Sequence, residues 1–84
     1  MPIAEPEIAR TLREFICRDL LDDPTYPLRD DTPLVSGGLI DSFMVAHLAV
    51  YVEQTFGVHL PDVILLSAEV DTVERIVAIV RAAR

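Results

Sequence analysis

Asp41-Ser42-Phe43-Met44-Val45-Ala46-His47-Leu48-Ala49-Val50-Tyr51-Val52-Glu53-Gln54-Thr55-Phe56-Gly57 is the stretch that decides the fold class. Val45, Leu48, Ala49, Val52 and Phe56 recur at three- and four-residue intervals, which places them on one face of an α-helix running from about Ser42 to Phe56. Gly57 follows as a natural C′ residue. Upstream, Ile8, Leu12, Phe15, Ile16 and Leu20 repeat the same spacing. Pro6 suits the first position of that helix, Glu5 and Glu7 favour the positive end of its dipole, and Asp22-Asp23-Pro24 ends it. Downstream, Val73, Ile76, Val77 and Val80 form a third apolar face. Asp71 is expected to cap that helix, with Glu74 three residues on completing an acidic analogue of a capping box.

Two connecting segments remain. His59-Leu60-Pro61-Asp62 leads into the apolar run Val63-Ile64-Leu65-Leu66, which periodicity alone allows as a strand or a buried helical turn. A strand needs a pairing partner and no other segment reads as one. The expectation is therefore an irregular anchored segment, then a short helical turn near Ser67-Ala68-Glu69-Val70. From Asp22 to Asp41, Pro24, Pro27, Pro33, Gly37 and Gly38 exclude most regular structure. Tyr26, Leu28, Leu34, Leu39 and Ile40 are spaced to anchor this long loop on the helices. The sum is an all-α, four-helix bundle: three longer helices plus one short one, in a single domain over residues 1–84.

Composition narrows the function. With 51% hydrophobic and 25% charged residues, the 84-residue chain is globular and too short for a second core. Seven arginines against fourteen acids leave a net charge of −7, which repels phosphate backbones and anionic membrane surfaces. Nucleic acid and membrane are thus excluded as expected partners. Cys17 is alone, so it forms no internal disulfide, and its place just off the first apolar stripe reads as ordinary packing. The start Met1-Pro2-Ile3-Ala4-Glu5 has neither the basic region nor the apolar run of a signal peptide, so a cytoplasmic location is expected; the chain is also expected to be a monomer.

Sites of chemistry are few. His47 and His59 are the only histidines, and no spacing gives a metal site or a catalytic triad. Both read as partly exposed surface residues. Gly37-Gly38 lacks the further glycine and the lysine of a phosphate-binding loop. What remains is Gly38-Leu39-Ile40-Asp41-Ser42-Phe43. A serine at a helix start is ordinarily a cap, yet Asp41 can take that role and leave the Ser42 hydroxyl projecting. The residue three positions after Ser42 is Val45, so no capping box enlists the serine. Phe43, Met44, Val50 and Tyr51 make the helix apolar well beyond its core stripe, the mark of a docking face.

In these features the sequence resembles the acyl carrier proteins and their peptidyl and aminoacyl relatives. The resemblance covers nearly the whole chain: its length, its acidity, the long first loop, Asp41-Ser42 opening the second helix, Phe56-Gly57-Val58 closing it, and Asp71-Thr72-Val73 opening the last. It implies an acyl-carrier-like four-helix bundle with Ser42 as the attachment point of a covalent 4′-phosphopantetheine and Asp41 as its motif neighbour. A separate phosphopantetheinyl transferase, using coenzyme A and magnesium, would make the attachment. The terminal thiol of the arm would hold acyl or aminoacyl groups as thioesters, loaded by a ligase and passed to downstream acyl-processing enzymes. The carrier itself would perform no catalysis.

Carriers of fatty-acid synthesis usually place Leu after the serine and several acids along the second helix. Here Phe43 follows the serine, and Glu53 is the only acid of the helix. The resemblance therefore points to a specialised biosynthetic carrier, with docking through Phe43, Met44, His47, Val50 and Tyr51 by apolar contact more than by charge. Asp19, Asp22, Asp23, Asp30, Asp31 and Asp41 would supply a negative rim for the transferase. The alternative from the residues alone is a helical interaction module in which Ser42 is only a cap. A serine hydrolase lacks a credible base and oxyanion site.

Overall fold

A computed structural model describes residues 5–65 and 67–83. Helix α1 spans Glu5–Phe15 and runs on into a π-helical turn, Ile16–Leu20. Helix α2 spans Ser42–Phe56, α3 spans Asp62–Leu65, and a 3₁₀ turn at Ala68–Val70 leads into α4, Val73–Ala83. The described residues hold four α-helices and no strand. Met1–Ala4, where the signal-peptide reading falls, and Leu66 of the apolar run lie outside them.

The three apolar faces meet in one core. Ile8 and Leu12 of α1, Ile16 of the π-helical turn, Val45, Leu48, Val52 and Phe56 of α2, and Val73, Ile76, Val77 and Val80 of α4 are all buried, while Phe15, Leu20 and Ala49 are partly so. Helix α1 packs on α4, and α2 meets α3. Each fully buried aliphatic side chain contributes about 1.5–3 kcal/mol relative to exposure. Leu28, Leu34 and Ile40 of the long loop enter the same core, as the spacing of its anchors requires. Gly57 closes α2 with φ 70°, the left-handed cap expected of it. No helix of the described residues is long and apolar enough to cross a membrane.

Three details depart from the sequence reading. Residues 62–65 form a helical turn rather than an irregular segment. Pro61 cannot donate, but its carbonyl accepts from Ile64 N at 2.9 Å and Leu65 N at 3.2 Å and so starts the turn. Ser67 ends it by donating twice to the Ile64 carbonyl, from its backbone N at 3.1 Å and its hydroxyl at 2.7 Å.

Second, the end of α1 widens into the π turn, with Leu21 N donating to the Ile16 carbonyl at 2.8 Å. The wider turn buries Ile16 and Cys17 side by side. Third, Asp71 does not cap α4. Thr72 does, its hydroxyl accepting from Arg75 N at 3.2 Å, and Glu74 N donates to the Asp30 carbonyl at 3.0 Å. The Asp71 carboxylate is drawn away because the long loop aims three donors at it.

Candidate functional site

The site forms where the long loop enters α2. Leu34, fully buried, is the pivot of the approach. Its carbonyl accepts from Leu39 N at 2.9 Å and Ile40 N at 3.1 Å, which folds residues 34–40 into a tight turn. Glycine is required at Gly37 because a Cβ there would stand 2.3 Å from the Pro33 carbonyl oxygen. Gly38, at φ 78°, adopts the left-handed conformation that L side chains avoid.

This turn delivers Asp41 in extended conformation to the head of α2. The Asp41 carboxylate accepts from Met44 N at 2.9 Å and its carbonyl from Val45 N at 2.9 Å, so Asp41 is the N-cap. Ser42 therefore sits exposed in the first turn, its hydroxyl not needed for capping. Phe43 beside it is 72% exposed.

A groove of about 350 Å³ opens next to Ser42. Val35 of the loop, Val45 and Ala46 of α2, and Leu65 of α3 give it apolar walls, with Asp62 and Ser67 adding polar groups. A second hollow of about 340 Å³ lies on another side of α2, lined by Phe15, Ala46, His47, Val50, Tyr51 and Gln54. Of the residues read as a docking face, Phe43, His47 and Val50 are exposed, whereas Met44 and Tyr51 are half-buried against the core. Phe43 and His47 pack ring to ring at 5.1 Å, one helical turn apart.

The acids of the expected rim have local partners in several cases. Asp30 is ion-paired with Arg13 of α1, and Asp31 lies 3.4 Å from Arg29. Asp23 accepts from Thr25, backbone N at 3.1 Å and hydroxyl at 2.7 Å, while Asp19 and Asp22 are exposed. His59 is also exposed and lies 3.5 Å from Glu53. Cys17 is buried, and burial is the main cause pushing its thiol pKa up.

Sequence reasoning missed Val35, Asp62, Leu65 and Ser67 as groove-lining residues, and Asp71 as the anchor of the loop. Asp71 accepts from Val35 N at 2.8 Å, Ser36 N at 2.9 Å and the Ser36 hydroxyl at 2.7 Å. These bonds, led by those from Ser36, hold its carboxyl below the ordinary carboxylate range. The bonds cross 35 and 36 positions of sequence, so no local signal marks them.

The residues at the head of α2 fit a covalently held phosphate arm. An exposed hydroxyl stands there free of capping duty, the N-terminus of a 15-residue helix favours an anion, and an open groove lies alongside. No curated protein and no solved structure matches the chain. The family profile for the phosphopantetheine attachment site matches residues 10–80, from within α1 to within α4. Over that span the chain belongs to the family of acyl and peptidyl carrier domains, which carry a covalently attached 4′-phosphopantetheine and are not themselves catalysts.

Proposed function

We propose that this chain is a single-domain, non-catalytic carrier in which Ser42 receives the 4′-phosphopantetheine arm. The observation that carries the reading is the division of labour at the head of α2. Asp41 caps the helix, and the neighbouring Ser42 hydroxyl is left exposed beside an apolar groove. Ser42 supplies the oxygen that bonds to the pantetheine phosphate of coenzyme A, whose pyrophosphate linkage breaks to release adenosine 3′,5′-bisphosphate. The transferase supplies the magnesium and takes the hydroxyl proton. When attached, the arm supplies a terminal thiol on which acyl or aminoacyl groups are held for partner enzymes.

The chain's own contribution is placement. The free N–H groups and dipole of α2 favour the phosphodiester at Ser42. The exposed side chains Phe43, His47 and Val50, with half-buried Met44 and Tyr51 beside them, offer partners an apolar surface. Glu53 is the only acid of α2, so charge steering along this helix is weak and contact area carries recognition. That balance favours a specialised biosynthetic carrier, including an aminoacyl carrier, over housekeeping fatty-acid synthesis. Its partners are a phosphopantetheinyl transferase, a loading ligase and acyl-processing enzymes of the cytoplasm.

The test is the intact mass before and after incubation with coenzyme A, magnesium and a promiscuous phosphopantetheinyl transferase, run beside Ser42→Ala. A gain of one phosphopantetheine in the native chain alone is expected. A folded native chain that gains nothing would instead support a helical interaction module docking through Phe43 and Val50.

A further inference from the structure

We propose that Asp71 is a positioning residue for the Ser42 site, tying down the Val35–Ser36 lip and thereby holding the turn before Ser42 in the form a transferase engages. The proposal rests on the reading of Ser42 as the attachment serine. Val35 is 42% exposed and lines the groove beside Ser42, so burial does not hold it in place. What holds it is polar. One oxygen of Asp71 accepts from both Val35 N and Ser36 N, and the other accepts from the Ser36 hydroxyl.

The tie extends to α2 through a continuous set of bonds. Leu34 N donates to the Asp71 carbonyl at 2.7 Å, and the Leu34 carbonyl accepts from Leu39 N and Ile40 N, the last two residues before Asp41. Gly38 N donates to the Val35 carbonyl at 3.1 Å and closes the turn on the lip. Between lip and helix stand Gly37 and Gly38, residues that gain much freedom once released. Asp71 thus offsets part of the conformational entropy that the glycine pair next to Ser42 loses on folding. Hydrogen bonds to a carboxylate are about twice as strong as neutral ones, which suits an exposed tie that has little apolar burial behind it.

Losing the tie lowers the fraction of molecules with a correctly set turn. A partner that needs the set turn then binds with an apparent affinity reduced by that fraction, while the bound complex reacts as before. The experiment measures KM and kcat of the carrier in loading with coenzyme A, magnesium and the promiscuous transferase. Asp71→Ala should raise KM about tenfold with kcat within about twofold of native. Asp71→Asn, which keeps an oxygen for both backbone N–H groups but loses the charge, and Ser36→Ala, which removes one bond, should both raise KM by less than Asp71→Ala does. Ile76→Val, a core change in α4, serves as the stability control and should leave KM unchanged.

Failure to load the native chain overturns the reading of Ser42 and this proposal together. Native loading with an unchanged KM in Asp71→Ala overturns the proposal alone. So does an Asp71→Asn variant as impaired as Asp71→Ala, or a KM rise that Ile76→Val shares. If Asp71→Ala does not fold, Ser36→Ala decides: a native KM there overturns the tie, and a raised one at native melting temperature supports it.

Discussion

The rings of Phe15 and Tyr51 stack 3.9 Å apart and 12° from parallel, joining the end of α1 to the third turn of α2. Tyr51 also meets Phe56 edge-on, with ring centroids 6.4 Å apart. Tyr51 is therefore a packing residue as well as part of the proposed docking face, whereas Phe43 projects into solvent. Tyr51→Ala should cost about 2 kcal/mol, the stack plus part of a buried aromatic. Phe43→Ala should change stability by less than about 0.5 kcal/mol. Urea unfolding of both variants checks this, and equal losses would mean that Phe43 is packed.

Asp41 and Ser42 are adjacent, and only the first caps α2. Asp41→Ala should cost about 1 kcal/mol of stability, the usual worth of an N-cap. Ser42→Ala should melt close to the native protein. The reverse order of melting temperatures would make Ser42 the cap and remove the structural reason for its free hydroxyl.

Gly37 is held by the backbone opposite it rather than by its own dihedral angles. A Cβ 2.3 Å from the Pro33 carbonyl oxygen has no flexible side chain to push aside, so the turn itself must move. Gly37→Ala should cost about 1–3 kcal/mol and slow loading at Ser42. A variant of native stability and native loading rate would show that the turn accommodates the methyl without cost.

Much of this was legible in the sequence. Val45, Leu48, Val52 and Phe56, and likewise Val73, Ile76, Val77 and Val80, announce their burial by spacing because helical periodicity is a local property. The cap at Asp41 and the left-handed close at Gly57 are local too. Asp71 reads as a cap for the same local reason, and tertiary competition reassigns it: Val35 and Ser36 arrive from far along the chain, and Thr72 takes the vacant role. The π turn at Ile16–Leu20 and the groove walls at Asp62, Leu65 and Ser67 likewise depend on neighbours that no window of sequence contains. Tyr51 was legible as an apolar surface residue but not as half of a stack, since Phe15 lies on another helix.

The bonds that anchor Asp71 also set a pH dependence. Its folded carboxyl pKa lies below the ordinary value of 3.8, chiefly through the hydrogen bonds from Ser36. A carboxylate with a depressed folded pKa contributes stability that is present above the unfolded value and lost as pH falls through the folded one. The native protein should therefore lose stability more steeply than Asp71→Asn as pH drops below about 4, and the two curves should run parallel at neutral pH. Thermal melts across that range give the comparison directly. Parallel curves throughout would mean that the carboxyl titrates alike in folded and unfolded chains.

Cys17 bears on how the proposed arm can be assayed. It is 6% exposed, its thiol donates weakly to the Tyr26 carbonyl at 3.6 Å, and burial pushes its pKa above the ordinary 9.0. The thiolate is the nucleophile, so both access and ionisation protect this sulfur near neutral pH. Iodoacetamide should leave the folded, unloaded protein unmodified on the timescale that consumes a small free thiol, and should alkylate Cys17 once denaturant is added. After loading, a single alkyl group should appear, and peptide mass analysis should place it on the arm at Ser42. Rapid alkylation of the folded, unloaded chain would show that the π-helical end of α1 opens readily, and the buried packing of Ile16 and Cys17 described above would not describe the protein in solution.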